Sequence, residues 1–164
     1  MTNRPTLALA SFAAAVAFST TVLADALCPP AKGRAALSSL LDRYVAAVNA
    51  HDTGSFAEMF TESYIQHSGR SPSGLAAQIA NFRRIFETWP DVRLHVDDRV
   101  FDGDKIVARN TFTATHSQTV QGFAPTGRTI TFTTIDIWRV EGGKLAEHWD
   151  LVDTAGLQKQ LRGE

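Results

Sequence analysis

Apolar residues recur at helical spacing through the first half of the chain and at strand spacing through the second. From Arg34 to Ala50, Leu37, Leu40, Leu41, Tyr44, Val45 and Val48 lie three and four apart, which predicts a helix. Asp52 can cap a short second helix through Phe56, Met59 and Phe60, after which Ser63 to His67 reads as extended chain. Ser71-Pro72 supplies a capping hydroxyl and a proline at the first helical position. Leu75, Ile79, Phe82, Ile85, Phe86 and Trp89 follow on one stripe, and Pro90 ends it.

Period two then takes over. Val92, Leu94, Val96 and Val100 alternate with Arg93, His95, Asp97 and Arg99, and Asp102-Gly103 makes a turn. Lys105 to His116 is a second strand, 117–127 a loop with Gly122, Pro125 and Gly127, and Arg128 to Val140 a third strand. Glu141-Gly142-Gly143 turns the chain into a fourth strand, Lys144 to Val152, and Thr154 to Leu161 can close with a helical turn. Helices followed by an antiparallel meander predict an α+β fold, with strands that curl if the helices cover one concave face.

The stretch ahead of these elements has the pattern of an export signal. Met1 to Arg4 is a short positive segment, Leu7 to Leu23 carries no charge, and Val22-Leu23-Ala24 fits a cut before Asp25. The apolar run is shorter than the roughly 20 residues that span a bilayer, so no membrane anchor is expected after cleavage. The division is then signal peptide 1–24, flexible leader 25–33 and one domain 34–164. A secreted or periplasmic protein meets oxidising conditions, but Cys28 is the only cysteine and cannot form an internal disulfide.

Charge excludes some partners. Sixteen basic and 17 acidic residues give a net charge of −1, and no basic run exceeds Arg83-Arg84. That leaves no patch for nucleic-acid phosphates. No G-x-G-x-x-G or P-loop is present. Gly69-Arg70-Ser71-Pro72-Ser73 breaks the nucleophile-elbow pattern at its last position. The five histidines are scattered. His148-Trp149-Asp150 matches two ligands of an iron facial triad, but no histidine follows to complete it, so no metal is expected.

Acid and imidazole groups gather on the last two strands. A two-residue Gly-Gly turn would set Ile135 opposite Asp150 and send Asp136 to the other face. A three-residue turn, Glu141-Gly142-Gly143, pairs Val140 with Lys144 and puts Gly143 at the left-handed position. Asp136 then faces His148 and Thr134 faces Asp150, beside Phe132, Trp138 and Val152. The three-residue turn is the expectation. Spacing leaves open whether this face is the concave one, where burial would favour proton exchange, or a solvated one with a surface ion pair.

A family resemblance bears on that choice. Asp136-Ile137-Trp138-Arg139, Gly143-Lys144-Leu145, Glu147-His148-Trp149-Asp150, Asp153 and Leu157 to Leu161 resemble the C-terminal signature of the SnoaL-like polyketide cyclases, also called ester cyclases. The likeness extends upstream through Tyr64-Ile65-Gln66-His67, Asp102-Gly103-Asp104-Lys105, Arg109, Thr115-His116, Gly122 and Pro125-Thr126-Gly127. It implies the NTF2-like cone, a curved, mainly antiparallel sheet whose N-terminal helices close a deep pocket. It also implies cofactor-free ring closure, with Asp150 as acid and base and His148 beside it. Asp136 falls where those cyclases carry a pocket histidine. Gln66, His67 and His116 are the implied polar lining, with Phe132 and Trp138 as apolar lining. The implied partners are a small hydrophobic molecule in the cone and a second copy of the chain. A binding protein without turnover, or an epoxide or lactone hydrolase on the same fold, are the alternatives.

Overall fold

The computed structural model describes residues 31–164, with side chains from 33 onward. The segment expected to be an export signal, most of the expected leader and Cys28 lie outside the described residues. Helix α1 (Ala31–Ala50) buries Leu37, Leu40, Leu41, Tyr44 and Val48, as its periodicity predicts. It stops at His51, which takes a left-handed φ of 57°, while Asp52 N–H closes onto Ala47 O at 2.9 Å. A short α2 (Phe56–Met59) runs straight into strand β1 (Phe60–Gln66).

Helix α3 (Leu75–Thr88) begins later than the Ser71-Pro72 signal suggests. The segment between is already committed elsewhere. Gly74 N–H donates to Tyr64 O at 2.6 Å, and Ser73 Oγ accepts from Gln66 N–H at 3.1 Å. Ser73 thus serves the end of β1 rather than the helix, and Gly74 sits at the helix N-cap with φ 102°.

Four strands follow: β2 (Arg93–Asp102), β3 (Lys105–Thr115), β4 (Thr129–Glu141) and β5 (Lys144–Val152). Helix α4 (Thr154–Arg162) closes the chain, capped by Asp153 accepting from Gly156 N–H at 2.8 Å. The sheet order is β1-β5-β4-β3-β2, antiparallel except for β1, which runs parallel to β5. The meander expectation covers β2 to β5. The edge position of β1 comes from tertiary pairing of two segments about eighty residues apart. Asn49 ties α1 to β2 by a two-point amide pair with Leu94, 2.9 and 2.7 Å.

The β4–β5 connection corrects the expected turn. Glu141 pairs with Lys144, so only Gly142 and Gly143 lie in the loop, at φ 57° and 77°. Two positive φ values are the type I′ pattern, whose twist matches that of the strands. An unbroken ladder would have set Ile135 opposite Asp150. Ala146 is an extra residue between the pairs Val140–Leu145 and Arg139–Glu147, and this bulge restores the parity. Beyond it Trp138 faces His148, Asp136 faces Asp150 and Thr134 faces Val152. The acid and imidazole groups therefore do share one face, with partners displaced by two residues from those expected.

That face is the concave one. Thr134, Asp136, Trp138 and His148 are buried, while Ile135 and Leu151, on the opposite face, are exposed. The main core lies between α1, α2, α3 and the narrow end of the sheet, centred on Tyr44, Phe56, Phe60, Tyr64 and Phe82. A second cluster of Trp89, Val92, Ala114, Ile130 and Leu157 closes the other end. No helix among the described residues is long and apolar enough to cross a membrane.

Candidate functional site

A cavity of about 490 Å³ lies between the two clusters, within the size range of small-molecule sites. Its walls are apolar on the sheet and helix sides, where Phe112 and Phe132 stack with centroids 5.0 Å apart and planes within 5°. Its floor is polar. Asp136, on β4, is buried and accepts from three donors: Asn110 Nδ2 at 2.7 Å, the Thr134 hydroxyl, and His148 Nε2 at 2.7 Å. A buried carboxylate with three donors needs no further partner.

The network also sets the proton on His148. Ser68 N–H needs an acceptor and finds Gln66 Oε1 at 3.1 Å. That turns the Gln66 amide nitrogen toward His148 Nδ1, 2.9 Å away. Nδ1 therefore accepts, and the ring carries its proton on Nε2, where it donates to Asp136. With both nitrogens engaged, His148 is a neutral bridge between Gln66 and Asp136. Trp138 stacks on its ring at 5.0 Å with planes within 6°. Burial first, and the Asp136 charge second, push the phenols of Tyr44 and Tyr64 well above their ordinary range, so both keep their protons.

Asp150 is the least satisfied acid of the site. Its side chain is 7% exposed, Arg70 pairs with Oδ2, and Oδ1 is buried with no hydrogen-bond partner. Arg70 reaches it from the strap between β1 and α3, whose Gly69 takes φ 70°. A free, buried carboxylate oxygen in a cavity wall can accept a proton from a bound molecule.

Three residues expected to line the pocket stand elsewhere. His67 follows Gln66 and points to the opposite side of the sheet, as alternation requires. There its ring stacks on Trp149 at 4.3 Å and Nε2 meets Glu147 at 2.8 Å. His116 is wholly buried at the far end, with Nδ1 on Thr126 Oγ1 at 3.1 Å; its carbonyl holds the Thr126 and Gly127 N–H groups. It pins the 117–127 loop instead of facing the cavity. Trp138 lies beneath the cavity as a support for His148. Gln66, Phe132, Asp136, His148 and Asp150 do line the cavity. Among the described residues no three His, Cys, Asp or Glu side chains converge as a metal site would need.

Sequence reasoning missed Arg70, Asn110 and Gln78. Asn110 had a signal: it is the one polar side chain among the inward-facing Ile106, Ala108, Phe112 and Ala114 of β3. Gln78 interrupts the apolar stripe of α3 and is buried against the cavity. Arg70 sits on a strap with no periodic pattern.

The SnoaL-like polyketide cyclase family model matches residues 38–161. No curated protein matches the chain. Among solved structures, TsrD from Streptomyces laurentii is 34% identical with a TM-score of 0.72, covering 78% of this chain and 96% of that one. AclR from Streptomyces galilaeus, assigned as a hydroxylase, is 25% identical at 0.68, covering 82% and 87%. A structure from Acidithiobacillus ferrooxidans, assigned as a polyketide cyclase, shares the fold at 21% identity and 0.73, covering 78% and 95%. With its curved sheet, closing helices and central cavity, this chain has the NTF2-like cone and belongs to the SnoaL-like polyketide cyclase family.

Proposed function

We propose that the chain is an exported, cofactor-independent enzyme that moves a proton next to a carbonyl in a small apolar compound. Asp150 is its acid and base. The observation that supports this reading is the unpartnered, buried Oδ1 of Asp150 in the cavity wall. Oδ1 takes the proton from the carbon beside the carbonyl, and the electron pair left behind forms an enolate. The enolate carbon then attacks a second carbonyl of the same molecule, and Asp150 returns its proton to the new alkoxide. In an isomerisation the proton returns to another carbon instead. Donors in the cavity lining for the oxygen that gains charge are the Ser68 and Ser71 hydroxyls. The Gln66–His148–Asp136 chain fixes the floor beside it.

Export rests on the leader pattern. Pairing of two copies rests on the semi-apolar outer face, where Ile135, Ile137, Trp149 and Leu151 border a shallow groove. The test of the chemistry is Asp150→Asn, which keeps shape but cannot exchange the proton. A loss on the order of 10² to 10⁴ in turnover is expected, with ligand affinity much less affected. Equal turnover in the two proteins removes Asp150 from the reaction. A native protein that binds ligand without turning it over supports the binding-protein alternative.

A further inference from the structure

The cavity is electrically lopsided. Two carboxylates, Asp136 and Asp150, stand at its floor, and two guanidiniums, Arg70 and Arg84, border it from the strap and from α3. The floor charges are answered within the protein: Asp136 by three donors and Asp150 by Arg70. Of the mouth charges, Arg70 is answered by Asp150 and Arg84 is not. Arg84 is exposed, and its Nη2 meets only the neutral Asn81 Oδ1, at 2.8 Å; it has no ion-pair partner among the described residues. Arg70 is 47% exposed and uses Nη2 on Asp150, leaving Nε and Nη1 without an acceptor among the described residues. A guanidinium offers five N–H donors in a fork that suits a carboxylate.

We propose that the ligand is a flat, apolar acid, with its carboxylate docked on Arg84 and the Arg70 guanidinium as a second contact. This deepens the proposed function by naming the substrate class and rests on that reading for the chemistry alone. The flat part lies along the stacked Phe112 and Phe132 rings. The polarity of the cavity fixes the orientation. A carboxylate at the floor would meet Asp136 and Asp150 and be repelled, whereas at the mouth it meets the unpaired Arg84, with the spare donors of Arg70 beside it. The neutral carbonyl end is thereby delivered to Asp150. The same arrangement rejects the neutral analogue, which leaves Arg84 with nothing gained and presents no preferred end.

The experiment is calorimetric titration of the native protein with 2-naphthoate and with 2-naphthamide at neutral pH, repeated on Arg84→Gln and Arg70→Gln. The two probes differ in charge and hardly in shape. The acid is expected to bind about tenfold more tightly than the amide, the scale of one charge-assisted hydrogen bond. Arg84→Gln should bring the acid down toward the amide and leave the amide unchanged. Arg70→Gln should also weaken the acid preference. Because the Arg84 side chain is exposed and its one polar contact is the neighbouring Asn81 amide, its replacement should leave the melting temperature in place. Equal affinity for the two probes in the native protein overturns the proposal, as does an acid preference that survives Arg84→Gln. Failure of both probes to bind overturns the flat-ring class. None of these readings involves turnover, so an Asp150→Asn variant that stays active would refute the proton-transfer reading and leave the acid preference to stand or fall separately.

Discussion

Changing Gln66 to Glu tests the proton arrangement on which the site is built. In the native network the Gln66 amide donates to His148 Nδ1 at 2.9 Å, and His148 Nε2 donates to Asp136 at 2.7 Å. A carboxylate in place of the amide offers only acceptors. The ring must then protonate Nδ1 to keep the contact, and Nε2 keeps its proton on Asp136. The perturbation thus adds one negative and one positive charge in contact. With an effective dielectric constant of about 20, each of the two flanking carboxylates, the one introduced at position 66 and Asp136, attracts the imidazolium by on the order of 4 kcal/mol. Position 66 is only part-buried, so its carboxylate keeps part of its hydration, and the two attractions outweigh the desolvation cost of several kcal/mol for the buried ring. The expected result is a doubly protonated His148 in Gln66→Glu, against a singly protonated ring, with its proton on Nε2, in the native protein. Nitrogen NMR of the ring at neutral pH distinguishes the two states directly. Gln66→Leu gives the complementary perturbation: it removes one donor to a buried ring and one acceptor for Ser68. It should cost about 1 to 2 kcal/mol in urea unfolding. A native ring with its proton on Nδ1, or a Gln66→Glu ring with a single proton, refutes the assignment of His148 as a neutral bridge.

Three further outcomes are expected. At the β4–β5 turn, Gly142→Asn should be nearly neutral, because asparagine accepts a positive φ, whereas Gly142→Val should cost about 1 to 2 kcal/mol in thermal or urea unfolding; a tolerated valine would argue for the longer turn, in which only Gly143 is left-handed. Hydrogen bonds first from the Thr115 hydroxyl, 2.5 Å, and then from its N–H, 2.9 Å, hold the Asp91 carboxyl below its ordinary range. The folded value lies below the unfolded one, so this contribution is full above about pH 4 and fades as pH falls through the folded value. Asp91→Asn should therefore cost on the order of 0.5 kcal/mol at neutral pH for so exposed a group, with the gap closing in acid; a gap independent of pH removes the carboxylate from the account. Mass spectrometry of protein recovered from the medium or periplasm should give a chain beginning at Asp25, and an intact Met1 to Ala24 segment on that protein would overturn the export reading.

Much of the scaffold was legible because local rules and tertiary demands agree in it. The stripe Leu37, Leu40, Leu41, Tyr44 and Val48 is the buried face of α1, and Asp153 caps α4 as its side chain allows. Alternation placed Ile135 outside, and the residues of β4 and β5 on one face, once a turn was chosen. The family signature added the cone and the candidate roles of Asp136, His148 and Asp150. The turn itself was misread, because two glycines and a bulge at Ala146 give the same parity as a three-residue loop. A bulge leaves no periodic trace when its extra residue is a small apolar one. The parallel docking of β1 on β5 was invisible for a different reason: pairing across about eighty residues depends on both strands meeting in the folded cone. That docking sends Gln66 inward and His67 outward, and so separates two neighbours the sequence had grouped. His116 shows the same limit, since a strand end can point into a cavity or into a core, and only the packing of the 117–127 loop decides. Arg70 depended most on the tertiary structure. A charged residue on an aperiodic strap has no sequence partner, and only folding carries it across to Asp150, leaving one carboxylate oxygen paired and the other free.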